Sequence, residues 1–194
     1  MKIENSKLKI NFGFTLAELV VSMAIISIMA AVLLGNRNQY SERLILKNET
    51  YNTVLYLRQA QVYSLGVKAG GSPAIFNTSY GALFNMAESN QFKFFTDANF
   101  DGKFQTSEIN NNISLKDGVV LQKVCMAATC SPGSLSKIAV TFKRPNSAAI
   151  LKGLNSSDDD LGLSPPATIY LISKTGLIST IKVDTSGGIS IIGI

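Results

Sequence analysis

From Phe14 to Leu34 the chain runs FTLAELVVSMAIISIMAAVLL, twenty-one residues with one charge, at Glu18, before the polar stretch Gly35-Asn36-Arg37-Asn38. At about 1.5 Å per residue such a helix reaches roughly 30 Å, enough to cross the hydrocarbon core of a bilayer. Beyond Gly35 the apolar positions Tyr40, Leu44, Tyr51, Val54, Leu55, Val62 and Leu65 recur at three-, four- and seven-residue steps, with Arg43, Lys47, Glu49, Arg58 and Gln59 between them. That spacing predicts an amphipathic helix over 35–68 that continues the membrane segment, breaks between Gly66 and Gly71, and lays its apolar stripe on the rest of the chain.

After residue 70 the period shortens. Strands are predicted at Ala74 to Phe76, Gln91 to Phe95, Gly118 to Val124, Lys137 to Phe142, Thr168 to Ser173, Leu177 to Val183 and Gly188 to Ile192. The last three are separated by Lys174-Thr175-Gly176 and Asp184-Thr185-Ser186-Gly187, which marks a β-meander. The expected fold is α+β, a long N-terminal helical spine on a mainly antiparallel β head. Its segments are a basic leader 1–13, a transmembrane helix 14–34, the amphipathic continuation 35–68 and a β-rich head 69–194.

Composition narrows the function. The chain has no histidine and no tryptophan among its 194 residues, which removes Ser-His-Asp triads, HExxH zinc sites and histidine general bases. The charged fraction is 16 % and the mean hydropathy +0.21, more apolar than an average soluble domain. The formal charge is +5, of which the first thirteen residues, with Lys2, Lys7 and Lys9 against Glu4, hold +2. The remaining +3 is too mild to imply nucleic acid by itself. The three lysines ahead of the apolar run hold the N-terminus in the cytoplasm and send the head across the membrane. No small-residue signal-peptidase site follows Leu34, and Glu18 is costly in lipid, so this carboxylate needs a partner.

In Gly13-Phe14-Thr15-Leu16-Ala17-Glu18, behind a basic leader and ahead of an unbroken apolar run, the chain resembles the type IV pilins and the pseudopilins of type II secretion. The resemblance implies cleavage between Gly13 and Phe14 by a prepilin peptidase, N-methylation of Phe14, and pairing of Glu18 with the N-terminal amine of a neighbouring subunit. It implies an inner-membrane assembly platform and other pilin subunits as partners, and a structural role, not an enzyme's. Many pilins carry proline where this chain has Gly35, which also weakens helix. The head is most similar to minor pseudopilins and minor pilins. The alternative is an adhesion or DNA-binding module displayed on a pilus.

Within the head, Asp97 to Glu108 satisfies D-x-[DN]-x-[DN]-G-x5-E. This pattern resembles the calcium loops of EF-hands and dockerins. Asp97, Asn99, Asp101, the Lys103 carbonyl, Gln105 directly or through water, and Glu108 would supply the oxygens, with Gly102 at the sharp turn and a structural Ca2+ bound with a dissociation constant on the order of 10⁻⁴–10⁻³ M. The strand-like Gln91 to Phe95 ahead of the loop argues against paired EF-hand helices. Cys125 and Cys130 enclose four residues, which suits a local disulfide in an oxidising compartment. Ser134-Leu135-Ser136-Lys137 and Lys174-Thr175-Gly176 mimic parts of a penicillin-binding enzyme, but no S-D-N element accompanies them. Asp158 to Asp160 reads as a solvated loop, the alternative being assistance to a second cation site. Lys137, Lys143, Arg144 and Lys152 form the only candidate face for nucleic-acid phosphates, and no aromatic residues are interleaved with them.

Overall fold

The structure, a computed structural model, describes residues 13–35, 37–66, 78–145 and 147–193. The chain divides into two compact units between Tyr40 and Ser41. The leader residues 1–12 and the strand expected at Ala74 to Phe76 lie outside the described residues.

In the first unit, helix α1 spans Leu16–Gly35. It is described as far as Gly35, and helix α2 is described from Arg37 to Leu65. The second unit holds α2 from Ser41 onward and ten strands. They are β1 (Ser79–Asn85), β2 (Gln91–Asp97), β3 (Ile109–Ser114), β4 (Val120–Met126), β5 (Thr129–Cys130), β6 (Lys137–Phe142), β7 (Ala149–Leu154), β8 (Ala167–Ile172), β9 (Ile178–Val183) and β10 (Ile189–Ile192). They form two antiparallel five-stranded sheets, ordered β3-β2-β1-β6-β7 and β10-β9-β8-β4-β5. The α+β class and the C-terminal meander agree with the sequence pattern.

One core joins α2 to both sheets. Tyr80, Ala82 and Phe84 on β1, Phe92 and Phe94 on β2, and Ile138, Val140 and Phe142 on β6 alternate inward, as a period of two requires. They meet Ile169, Leu171, Ile181 and Val183 of the second sheet and Leu46, Val54, Leu57 and Ala60 of α2. Tyr63 packs edge-on against Tyr80 and Phe94, with centroids 5.5 and 6.2 Å apart. The Tyr80 amide donates to Ser64 Oγ at 2.9 Å, and Gln61 Nε2 donates to the Ser147 and Gly187 carbonyls at 3.2 Å each, so polar bonds also tie α2 to the strands.

The face of α2 that packs on the head is not the expected stripe. Of the seven apolar residues in that stripe only Val54 is buried, while Tyr40, Leu44, Tyr51, Leu55, Val62 and Leu65 are exposed. The buried row is Leu46, Thr50, Thr53, Leu57, Ala60 and Ser64, at alternating steps of four and three. Small side chains let the helix sit close to the aromatic-rich sheet. The threonines are tolerated there because their hydroxyls donate back to the Leu46 and Glu49 carbonyls at 2.7 and 2.8 Å.

The first sheet has a second apolar layer on its far face: Leu83, Phe95, Ala139 and Leu154, with Phe104 packed against them. Gly81 stands opposite Phe95, and a Cβ at Gly81 would lie 2.6 Å from the Val140 carbonyl and 3.0 Å from the Phe95 ring. Only glycine leaves room for that ring to cross the strand.

Candidate functional site

Three regions carry the sequence's candidate chemistry. The first is the start of α1. Gly13 and Phe14 precede the helix with no regular structure, Phe14 is 83 % exposed, and a Cβ at Gly13 would meet nothing within 4 Å. Thr15 caps the helix, its Oγ1 accepting from the Glu18 amide at 3.2 Å. Glu18 Oε2 in return accepts from the Thr15 amide at 3.2 Å and from the Thr15 hydroxyl at 3.1 Å. This reciprocal pair is a capping box, and it places a carboxylate where the helix dipole is positive. Glu18 therefore has a partner inside its own chain. The T-x-x-E spacing ahead of an apolar run was the signal for it, and sequence reasoning had passed over Thr15.

The rest of α1 is built for lipid or for other helices. All of its described side chains are exposed, and from Leu19 to Leu34 none carries a charge. Ser22 and Ser27 donate to the Glu18 and Met23 carbonyls at 2.7 Å each, so neither hydroxyl needs water.

The second region is the outward row of α2: Leu44, Tyr51, Leu55, Val62 and Leu65, at steps of seven, four, seven and three, between 43 and 63 % exposed. An apolar stripe of helical period on the side away from the head is a packing surface.

The third is the connection from β2 to β3. Asp97 is the last residue of β2, and Glu108 closes a 3-10 turn, Thr106–Glu108, that leads straight into β3. The flanks are therefore strands, in keeping with the expected lack of EF-hand helices. Phe100 and Gly102 adopt left-handed backbone, φ 63° and 70°. The Gly102 amide donates to Asp97 Oδ2 at 3.0 Å, the Asp101 amide to Asn99 Oδ1 at 3.2 Å, and the Lys103 amide to Asp101 Oδ1 at 2.7 Å. Glu108 accepts from the Ala98 and Gln105 amides at 3.2 and 2.9 Å. Phe104 pins the loop to the sheet's far face, edge-on to Phe95 with centroids 5.6 Å apart.

Burial pushes the Asp97 and Glu108 carboxyls above their ordinary range. The Gly102 amide only partly offsets this for Asp97, as do the Gln105 and Ala98 amides for Glu108. Among the described residues no three Asp, Glu or Cys side chains converge as a metal cage, so the expected calcium ligands share a loop without yet surrounding a point.

The remaining candidates are quickly placed. Cys125 and Cys130 face each other across β4 and β5 and are joined as a disulfide, with Cα atoms 4.0 Å apart. Lys137 binds Asp158 at 2.7 Å and Lys152 binds Asp160 at 3.1 Å, which neutralises two residues of the basic face and two of the acidic run together. Lys143 lies over the Phe100 ring at 4.7 Å. Lys137 also donates to the Ser156 carbonyl at 3.2 Å, so its amine is committed to the 156–158 turn.

An exposed apolar helix with one first-turn carboxylate, followed by an α+β unit whose helix keeps an exposed apolar row, fits a membrane-anchored, pilin-like subunit. Residues 8–34 match the prokaryotic N-terminal methylation motif, and that match supports the type IV pilin and pseudopilin family. It implies processing by prepilin peptidase and assembly with other pilin subunits, and it points to a structural subunit in place of an enzyme. No curated protein and no solved structure matches the chain.

Proposed function

We propose that the chain is a prepilin whose mature form, beginning at Phe14, is a minor subunit of a type IV pilus or a type II secretion pseudopilus. The observation that carries this reading is α1 itself: a fully exposed apolar helix of 20 residues, directly after the Gly13-Phe14 bond, with Glu18 as its one carboxylate. Before processing, the lysine-bearing leader sits in the cytoplasm, α1 stores the subunit in the inner membrane and the head faces outward. Prepilin peptidase cuts after Gly13 and Phe14 is N-methylated. The freed amine of one subunit takes the place of the Thr15 donors on Glu18 of its neighbour, and this charge-assisted bond sets the register of the helical bundle. The outward row of α2 extends that packing beyond the membrane on an inner-membrane assembly platform.

The test uses the full chain in a host with a prepilin peptidase and a filament system, with mass spectrometry of the N-terminal peptide in membrane and sheared-filament fractions. The expected peptide begins at methylated Phe14 and is scarce in sheared material. Gly13→Leu leaves the leader attached, whereas Glu18→Ala is processed but fails to enter filaments. An intact leader in the parent, or normal assembly of Glu18→Ala, overturns the reading.

A further inference from the structure

Asp97 is fully buried at the end of β2. Its Oδ2 takes the Gly102 amide, which turns the carboxylate toward the interior of the loop, while its Oδ1 has no hydrogen-bond partner. A buried carboxylate oxygen without a donor is expensive, so the atom calls for a water, a proton or a cation to meet it. The charge balance nearby sharpens the point. Glu88, Asp158, Asp160 and Asp184 each hold a lysine, but none of these ion pairs reaches Asp97, Asp101 or Glu108. Lys93 is taken by Glu88 and Lys152 by Asp160, while Lys143 lies over the Phe100 ring of the loop at 4.7 Å and, among the described residues, makes no ion pair with these carboxylates.

We propose that the loop from Asp97 to Glu108 binds one calcium-class cation, with Asp97 Oδ1 as the ligand fixed in place. Every other donor at the required spacing is also an oxygen: Asn99, Asp101, the Lys103 carbonyl, Gln105 and Glu108. Gly102, in left-handed backbone and 3.0 Å from Ile150 Cγ2 at its virtual Cβ, makes the turn that lets the chain fold back over Asp97. Binding requires Asp101 and Glu108 to swing inward. The backbone amide bonds to Asp101 Oδ1 and Glu108 need not be surrendered, but Asp101 Oδ2 now accepts from Asn99 Nδ2 at 3.1 Å and Gln105 Nε2 at 3.3 Å, so those two side chains must turn their oxygens to the cation. Six or more oxygens of mixed type on a flexible loop suit calcium, whereas magnesium demands a near-ideal octahedron and sheds water reluctantly. The cation would clamp the end of β2 to the start of β3 while Phe104 holds the middle of the loop to the sheet. This site goes beyond the filament reading and does not depend on it.

The experiment titrates CaCl2, then MgCl2, into the EGTA-stripped full-length protein in detergent micelles, read by calorimetry and by thermal melting of the tyrosine signal. Calcium is expected to bind one site with a dissociation constant on the order of 10⁻⁴–10⁻³ M. At 10 mM it then raises the folded-to-unfolded ratio about 10- to 100-fold, a rise in Tm of roughly 3–10 °C. Asp101→Ala weakens calcium binding at least tenfold, and Glu108→Gln removes the calcium-dependent shift, each read against the same variant without calcium. No calcium heat and an unchanged Tm in the parent would overturn the proposal, as would parental affinity in Asp101→Ala or an equal response to magnesium.

Discussion

Leu57→Ala and Leu55→Ala, two residues apart on α2, should have opposite consequences. Leu57 is completely buried between the helix and the sheets, whereas Leu55 is 61 % exposed in the outward row. Truncating Leu57 removes about three methylene equivalents from the core, roughly 2.5 kcal/mol of transfer free energy at about 0.8 kcal/mol each. The cavity left in the core adds to this, and buried Leu→Ala changes span about 2–5 kcal/mol. For a chain of this size that lowers Tm by roughly 5–15 °C. Leu55→Ala loses little burial and gains helix propensity, so the isolated subunit should stay within about 0.5 kcal/mol of the parent. The assay is near-UV circular dichroism melting of the full chain in micelles, which follows the packed tyrosines while α1 stays helical in detergent. Filament yield is scored in parallel. Leu55→Ala should reduce assembly without touching stability, and Leu57→Ala the reverse order of severity. Equal destabilisation by the two variants would show that the assigned faces of α2 are wrong.

Thr15→Val removes one half of the capping box at a cost of about 1 kcal/mol, so hydrogen exchange of the Glu18 amide, which donates to the Thr15 hydroxyl, should quicken about fivefold; unchanged protection would contradict the cap. The Lys93 hydrogen bond holds the Glu88 carboxyl below its ordinary value against a smaller opposing effect of burial, with the Nζ at 2.7 Å. A depressed carboxyl contributes stability that is present above the unfolded value and lost as pH falls through the folded one. Urea unfolding should therefore find Glu88→Gln less stable than the parent by about 0.5–1 kcal/mol at pH 7, with the gap closing below pH ~4. Reduction of Cys125–Cys130 should add two hydrogens by mass spectrometry and weaken the head by about 2 kcal/mol, and a dithiothreitol-insensitive Tm would deny the staple a role.

How much of this was visible in the sequence follows from where the side chains alternate cleanly. β6 and the β8-β9-β10 meander declare themselves because apolar residues alternate between turn glycines, as at Gly176 and Gly187 with φ 84° and 83°. β3, with the run Ile109-Asn110-Asn111-Asn112, looks like loop because its partners, not its composition, make it a strand. β1 and β7 were hidden by Gly81 and Gly153, residues that weaken strand propensity and here admit a neighbour's side chain. On α2 the search for large apolar residues found the outward row and missed the buried one, where Thr50, Thr53, Ala60 and Ser64 satisfy themselves or sit close to a sheet. At the sites, the calcium-type spacing and the cysteine pair could be read directly. The lysines that silence the acidic run could not be weighed without distances, since Lys137 and Lys152, 21 and 8 residues ahead of Asp158 and Asp160, had to be brought to them by the fold.

The interleaving of the two sheets sets a timetable. β1, β2 and β3 are consecutive and can pair as soon as they emerge, yet the other edge of β1 belongs to β6, whose first paired residue, Lys137 opposite Asn85, comes about 50 residues later. Meanwhile β4 departs for the second sheet and itself awaits β8. At synthesis rates of roughly 5–20 residues per second, the β1 edge, with Tyr80, Leu83 and Phe84 along it, stands open for several seconds. An unpaired apolar edge invites strands from other chains. Crowding of nascent heads is thus the moment of greatest hazard for this chain, and slow, dispersed synthesis is the regime in which its sheets close on themselves.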